Sequence, residues 1–551
     1  MNQVLCQTIA DHIIKQVGLP AALAAVGEQD VPPFPEWCEG ILVDGHAFSF
    51  KGREYLIQPY NDDHPYIIKR KSTQGGGTVE EELRAIYALI YGNVRNVLYY
   101  FPSKTDVTDF SQARVGPLAE ENPKIAKYVQ ETNRANLRQF GGGFLHLLGM
   151  RSAMAVKQIP AGLLIFDEFD EAPQLSFDKA MERIGGILEG EQEPPKVRLI
   201  SNPSLPDYGV CRLFDKSDQH YWTLKCPHCG EQVEMVGAFE AWVAGKGPPP
   251  LLQVNGKTIR ACTKCQRELD PTDGEWVAKY PGRDKRGYQY TQLWSQTIMH
   301  RPEVIMEKFH TAMEIGNLQD FFNLVIGIGY VEAENRLSEE EVLALCGSEG
   351  ILTSSMKPCF MGVDDNGQEL HVTIGRKLDQ KWAELIFINT VKEWDELDRL
   401  MESFNIARAV VDGMPDPHES RKFSERFKGR VFRHFYNRHQ KGAYAWDEKD
   451  FKVSTNRTES LTASHSVIRN QEVVLPKRSD ITKEFARHCH NTAKKLEEEE
   501  ETDRKTGMKR KTGNKVYVWV KLGPDDYRHS FNYFCIAWLQ ALKGVFSDVG
   551  G

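Results

Sequence analysis

The sequence predicts two α/β units in series, the first built on a parallel sheet and the second on a mixed one. Three observations lead there. Over 46–220, strand-like apolar runs ("YIIK", "NVLYYFP", "GLLIFDE", "VRLISNP") alternate with helical patterns, as in a parallel sheet wrapped by helices. After a helical stretch over 291–355, alternation resumes near Pro358 in another order. Three strand-like runs ("CFMGVDD", "ELHVTIGRK", "AELIFINTV") precede a helical pattern ("EWDELDRLMESFN") and a fourth strand, "ARAVVDG". Between the two regions, 221–290 carries two Cys-x2-Cys pairs and reads as an insertion with its own small fold.

The 551 residues allow two to four domains, and 41% hydrophobic content fills their cores. No apolar run approaches the roughly 18 residues of a membrane span, so no membrane partner is expected. The start, "MNQVLCQTIADHIIKQV", lacks a basic region and carries Asp11, unlike a secretory signal. Val4, Ile9, Ile13 and Val17 recur in it at helical spacing. A net charge of −8 excludes a uniformly basic surface, yet leaves room for a locally basic DNA channel. Of eleven cysteines, four form two close pairs and the rest are scattered, which indicates a reducing compartment and one metal site. The expected boundaries are a helical lead-in over 1–45, ended by the prolines of "VPPFPEW", a first domain over 46–330, a linker over 331–356 and a second domain over 357–551. The charged run 494–515 reads as a solvated or mobile insertion.

In the first domain, "PYIIKRKSTQGGGTVEEELRAIYALI" (65–90) runs from an apolar strand through a Gly-rich turn into a helical pattern. Gly75, Gly76 and Gly77 leave backbone N–H groups free to converge on phosphate oxygens, and the helix adds its N-terminal dipole. Thr78 supplies a hydroxyl for Mg²⁺. No lysine precedes it, so the phosphate cation must come from elsewhere: Lys71 opens the loop, with Lys69 and Arg70 as neighbours. Further on, "GLLIFDEFDEAP" (162–173) ends an apolar strand in Asp167 and Glu168. In a nucleotide-hydrolysing site the first acid holds Mg²⁺ and the second orients the attacking water. Together these segments predict a P-loop NTPase domain that binds ATP and Mg²⁺. Pro102-Ser103-Lys104 follows a strand where a nucleic-acid-contacting loop is expected. Ser201 and Asn202, at another strand end, are expected to sense the γ-phosphate and couple hydrolysis to DNA. Arg70, Arg84 and Arg151 are equivalent candidates for an arginine reaching that phosphate.

"CPHCGE" (226–231) and "CTKCQREL" (262–269) supply Cys226, Cys229, Cys262 and Cys265, enough for a closed tetrahedral zinc site with no open position. His228 reads as a turn residue. In the second domain, three strands, a helix and a fourth strand open an RNase H-like sheet. Asp364 ends the first strand and Asp412 the fourth, while "GPDDYRHSFNYFCIAWLQAL" (523–542) starts a helix with Asp525, Asp526 and His529. Asp364, Asp412 and Asp526 are expected to hold two Mg²⁺ or Mn²⁺ ions, with His529, three residues after Asp526 on the same face, as a further ligand.

The set "KSTQGGGT", "FPSKTDVTDFSQARVGPL", "LLIFDEFDE", "SNPS", "YWTLKCPHCGE", "GVDD", "VVDG", "NRTES" and "DDYRHSFNY" resembles the large terminase subunit of tailed bacteriophages, in its lambda-like branch, over roughly 50–545. In that branch the loop carries its lysine at the front. The resemblance therefore implies Lys71 as the phosphate lysine, with Ser72, Gly75, Gly76, Gly77 and Thr78 completing the ATP-binding loop, Gly77 standing where other loops have lysine. It also implies a motor whose ATPase drives double-stranded DNA through a portal protein into the procapsid, and whose nuclease cuts concatemeric DNA. A small terminase subunit, a homo-oligomeric ring, and a place in the host bacterial cytoplasm and transiently at the portal vertex are implied with it. Two alternatives share the residues: a helicase- or repair-type ATPase with an appended nuclease, and a zinc-stabilised DNA-binding scaffold whose nucleotide loop is inactive.

Overall fold

The computed structural model describes residues 31–547 except 93, 131–133, 135, 152–158, 182–194, 379–380, 438–439, 441–443 and 503–508. The helix expected within 1–30 lies outside them. The chain divides into two units, at Tyr330/Val331.

The first unit is built on an eleven-stranded sheet. Its strands are β1 (Tyr66–Arg70), β2 (Asn96–Phe101), β3 (Val129–Gln130), β4 (Leu137–Phe140), β5 (Gly143–Gly149), β6 (Leu163–Phe166), β7 (Lys196–Ser201), β8 (His220–Lys225), β9 (Gln232–Glu234), β10 (Gly274–Ala278) and β11 (Arg286–Gln289). The order is β9-β8-β11-β1-β7-β6-β2-β5-β4-β3, with β10 paired to β8, and pairing is parallel from β8 through to β5. Successive residues of β2 enter opposite cores: Val97, Tyr99 and Phe101 face one, Leu98 and Tyr100 the other. Strands buried on both faces read as continuous apolar runs, which is why this part was readable from sequence. Helix α1 (Gly77–Ile90) follows β1, and α2 (Lys104–Phe110) follows β2.

The 221–290 segment departs from the expected separate small fold. Its strands β8 to β11 extend the main sheet, and β11 pairs with β1 itself, Arg286 opposite Ile67 through Gln289 opposite Arg70. Only the hairpin Leu251–Val254/Lys257–Arg260 stands apart.

The second unit contains α3 (Glu339–Leu343), β12 (Cys359–Asp365), β13 (Leu370–Leu378), β14 (Lys381–Val391), α4 (Trp394–Ser403), β15 (Ile406–Asp412), α5 (Pro417–Arg426), β16 (Val431–Tyr436), β17 (Ala445–Asp447), β18 (Lys452–Thr455), α6 (Arg457–Arg469), β19 (Val473–Val474), α7 (Asp480–His490), β20 (Thr492–Thr502), β21 (Lys509–Lys521) and α8 (Asp526–Ser547). The sheet order is β17-β18-β16-β15-β12-β13-β14-β19, with β12, β13 and β14 antiparallel and β15 and β16 added parallel to β12. The 331–356 stretch is not a free linker: Leu337, Val342, Leu343 and Leu345 are buried in this unit's core with Phe485 and Phe531. The described residues of the charged run are extended strands. β20 and β21 form an antiparallel ribbon whose register sets Glu501 opposite Arg510 and Thr502 opposite Lys509.

Helix α8 lies against β12 because residue 362 is glycine. A Cβ there would stand 2.0 Å from the Ser530 carbonyl oxygen and 2.2 Å from the Phe534 nitrogen. Ser530 Oγ locks the contact, donating to the Gly362 carbonyl (3.0 Å) and lying 2.8 Å from Thr373 Oγ1. The start of α8 is thereby held beside the C-terminal end of β12.

Candidate functional site

Two groups of polar residues collect at strand ends, one in each unit. In the first, β1 delivers the loop 71–76 and α1 begins at Gly77. Gly76 has φ 86°, open to glycine at no cost, and caps α1 in the left-handed region. The loop is pinned by backbone bonds from Lys71 N–H to Ser201 O, Ser72 N–H to Tyr290 O and Thr73 N–H to Leu324 O. It is thus held by the strands and turns on both sides of β1.

Three adjacent cations have three different fates. Lys69 is buried, with Nζ 2.6 Å from Glu80 Oε1 and also paired to Glu81 on α1. Arg70 is buried on the opposite face, where Nε donates to Gln289 and the guanidinium stacks 4.3 Å over Phe214. Both are committed to the core. Lys71 instead folds across the loop and donates from Nζ to Asn202 Oδ1 at 3.0 Å. Its stem passes over Gly77, where a Cβ would sit 3.5 Å from Lys71 Cδ. Two buried polar atoms beside it, Ser72 Oγ and Asn202 Nδ2, have no hydrogen-bond partner among the described residues. Unpaired buried polar atoms are costly, and at a loop of this shape they fit a phosphate-bearing ligand.

Thr78 Oγ1 lies 3.5 Å from Asp167 Oδ1, and Tyr99 donates to Asp167 Oδ2 at 3.0 Å. A divalent ion fits between the hydroxyl and the carboxylate. Glu168 follows at φ 51°, a left-handed conformation rare for a residue with a side chain, and its N–H donates to Asp167 Oδ1 (2.9 Å). Burial, then the charges of Asp167 and Glu171, push its carboxyl up to about 7. Ser201 Oγ accepts from the Asp170 N–H (3.0 Å) and donates to the Asn202 carbonyl (2.8 Å), so it braces the acidic turn while Asn202 meets Lys71. Asp170 is a site residue the sequence reading missed. Its carboxylate accepts from Ser204 N–H, Ser204 Oγ and Val210 N–H, tying the acidic turn to the segment after β7. Tyr99 was missed as well, hidden inside an apolar strand. Of the arginines, Arg84 is buried against Glu80 (3.0 Å) and the Pro59 carbonyl, while Arg151 donates to the Glu171 carbonyl at 3.4 Å. Ser103 caps α2 through a capping box with Asp106, leaving Lys104 exposed at that strand end.

The four cysteines converge: Cys226 Sγ lies 3.6 Å from Cys265 Sγ, Cys229 Sγ 3.6 Å from Cys262 Sγ, and all four lie within 4.8 Å of one another. Zn–S bonds of about 2.3 Å give a tetrahedron of about 3.8 Å edge, so the thiolates fit a zinc ion with little movement. Both knuckles share one turn: Gly230 and Gln266 donate to the Cys226 and Cys262 carbonyls, each from a left-handed conformation.

In the second unit, Asp364 ends β12 and Asp412 ends β15, the strand beside it. Burial pushes the Asp364 carboxyl well up, followed by the charges of Asp412, Asp526 and Asp525. Burial likewise raises Asp412 to about 6, although it accepts from the Met414 N–H (3.2 Å) and the Tyr533 hydroxyl (3.3 Å). Asp364, Asp412 and Asp526 do not close to within 4.8 Å as a set of three. Asp364 is the member that feels both of the others, which fits a carboxylate shared between two ions. His529, the expected further ligand, stands between two polar partners. Its Nδ1 is 2.8 Å from the Tyr436 hydroxyl and its Nε2 3.3 Å from Asp525 Oδ2, so both ring nitrogens are engaged. Lys521 Nζ adds 2.6 Å to Asp525 Oδ1. Although burial alone would raise it, His529 and Lys521 hold Asp525 down to about 2. Asp526, by contrast, faces two histidines: its Oδ2 lies 4.0 Å from His371 Nε2 and 3.8 Å from His488 Nδ1.

Residues 61–279 match the family described as phage terminase large subunit gpA, ATPase domain. No curated protein matches the chain. Among solved structures, the HK97 bacteriophage large terminase is similar at a TM-score of 0.51, with 11% identity, covering 92% of this chain and 99% of that one. The large terminase of a thermophilic bacteriophage gives a TM-score of 0.31 at 12% identity, covering 89% and 98%. The HK97 protein carries the fold likeness.

Proposed function

We infer that this chain, which belongs with the large terminase subunits of phages, is the motor and nuclease of viral DNA packaging. ATP hydrolysis in the first unit drives double-stranded DNA into a procapsid, and carboxylates of the second cut concatemeric DNA. The observation that carries this reading is one polypeptide with a nucleotide loop facing Asp167 and Glu168, and a second sheet with Asp364 and Asp412 on adjacent strand ends.

Lys71 leaves Asn202 for the β- and γ-phosphates, while Ser72, Gly75, Gly76 and Gly77 present the loop's backbone. Thr78 and Asp167 would hold Mg²⁺, which would supply positive charge against the transferring phosphoryl group. Glu168, the base, takes a proton from the attacking water. Loss of the γ-phosphate lets Lys71 return to Asn202. Ser201 and Asp170 connect Asn202 to the acidic turn, so that exchange is felt along the segment after β7. In the second unit, Asp364, Asp412 and Asp526 would hold Mg²⁺ or Mn²⁺, whose chemistry would be to lower the pKa of a bound water and to offset charge on the leaving oxygen. Asp525, paired with Lys521 and in contact with His529, braces the start of α8. On this reading the chain acts as a homo-oligomeric ring with a portal protein and a small terminase subunit in the host cytoplasm. Among the described residues no helix is long and apolar enough to cross a membrane.

A packaging motor moves along duplex DNA without separating it. The full-length protein with its portal complex is expected to displace a triplex-forming third strand in an ATP-dependent manner, and to leave a forked duplex paired. Unwinding of the fork without triplex displacement would favour a helicase instead.

Zinc at the four cysteines is structural on this reading. The first knuckle is the turn from β8 to β9, and β8 pairs with β11, the neighbour of the loop-bearing β1. Chelation, or Cys226→Ser, is expected to lower the melting temperature of the first unit by several degrees and to release one zinc per chain. No zinc by elemental analysis, with melting unchanged by chelator, would contradict it.

A further inference from the structure

We propose that His371, His488 and Asp526 form a transition-metal site beside the nuclease carboxylates, with Asp526 shared between it and the Mg²⁺ or Mn²⁺ positions of Asp364 and Asp412. The three donors come from separate elements. β13 carries His371 directly opposite Asp364, α7 carries His488 in its last turn, and α8 begins with Asp526. Their ligand atoms lie within 4.8 Å of one another, and besides the four cysteines this is the only such group among the described residues. With Asp526 Oδ2 at 4.0 and 3.8 Å from the two ring nitrogens, an ion between the three atoms lies at most about 2.5 Å from each. Contraction by a few tenths of an ångström reaches the ~2.0–2.2 Å of bonds from zinc to nitrogen and oxygen.

The surroundings favour a cation. Glu369 Oε1 is 3.6 Å from His371 Nε2, available as a fourth ligand, and Glu484 Oε1 is 4.0 Å from His488 Nε2, where a carboxylate orients a metal-bound imidazole. Both histidines are buried, and their ring nitrogens face the Asp526 carboxylate. Lys521 is the nearby cation, and it is paired with Asp525. His488 Nδ1 accepts from the Tyr527 N–H at 3.2 Å; the ion replaces that bond, and the ring already carries its proton on Nε2, toward Glu484. Two imidazoles select Zn²⁺, Ni²⁺ or Co²⁺ over Mg²⁺, which prefers oxygen. An ion here fixes Asp526 and ties α7 and β13 to the start of α8.

The test reads metal rather than cutting, so it stands apart from the nuclease assignment. Full-length protein with its cysteine cluster filled by Zn²⁺ is titrated with Co²⁺ in excess Mg²⁺, following visible absorption and heat. One Co²⁺ is expected to bind, and His371→Gln and His488→Gln each weaken it at least about tenfold, whereas Asp364→Asn shifts it by less than either. Circular dichroism verifies that the variants fold. Should they not, spin-echo modulation from imidazole nitrogen on Cu²⁺ bound to the parent protein gives the same answer. No Co²⁺ uptake, full displacement by Mg²⁺, absence of imidazole modulation, or loss with Asp364→Asn but not with the histidine variants would overturn the site.

Discussion

Glu168→Gln stops ATP hydrolysis and leaves ATP binding intact. The side chain keeps its shape but can no longer accept a proton, and removal of a positioned general base costs about 10²–10⁴ in rate. Its position supports that role. It follows β6 in a left-handed conformation, one residue past the acid that Thr78 and Tyr99 contact, and burial raises its carboxyl to about 7, matched to work near neutral pH. Thr78, Asp167 and the loop are untouched by the change, so calorimetry with Mg²⁺-ATP returns the parent affinity while phosphate release falls to background. A variant still hydrolysing within about tenfold of the parent would remove Glu168 from the mechanism.

Asp364→Asn abolishes plasmid nicking and spares DNA-stimulated ATP hydrolysis. Asp364 is the carboxylate that feels Asp412 on the neighbouring strand and Asp525 and Asp526 at the start of α8. Even outer-shell partners change metal affinity 10–100-fold, so loss of a shared ligand lowers nicking at least about a hundredfold. The fold does not suffer. Burial and the neighbouring acids already oppose ionisation of this carboxyl, so a neutral amide of the same shape relieves that penalty and the melting temperature holds or rises. A melting temperature lowered together with nicking would make the residue structural.

The parts legible in the sequence were those where local pattern and chemistry coincide. Asp167 and Glu168 stand out because four buried apolar residues precede them, and the strand–helix order of the second unit was readable because β12 to β15 follow one another along the chain. What escaped depends on pairing between distant segments. β11, "RGYQ", is short and polar and gives no sign that it lies against β1 some 200 residues earlier. Charge alternation in 494–515 reads as solvated, yet two strands of opposite sign can pair as a ribbon. His529 shares a helical face with Asp526, but spacing on one helix does not tell that Tyr436, from another strand, takes its Nδ1. His371 and His488 were invisible for the same reason, since neither has a partner nearby in sequence that marks it as a ligand. The lysine question could be posed from sequence alone: in the structure Lys69 pairs with Glu80 and Glu81, Arg70 with Gln289, and Lys71 is the cation that crosses the loop to Asn202.

That last point is the centre of the account, and ATP binding to the parent and to Lys71→Ala tests it most directly. Hydrogen bonds to charged groups contribute about 1.5–3 kcal/mol, so calorimetry should show Mg²⁺-dependent binding by the parent and an affinity at least about tenfold weaker in the variant. No binding by the parent, or equal affinity in both, would contradict a phosphate loop whose lysine stands at its front.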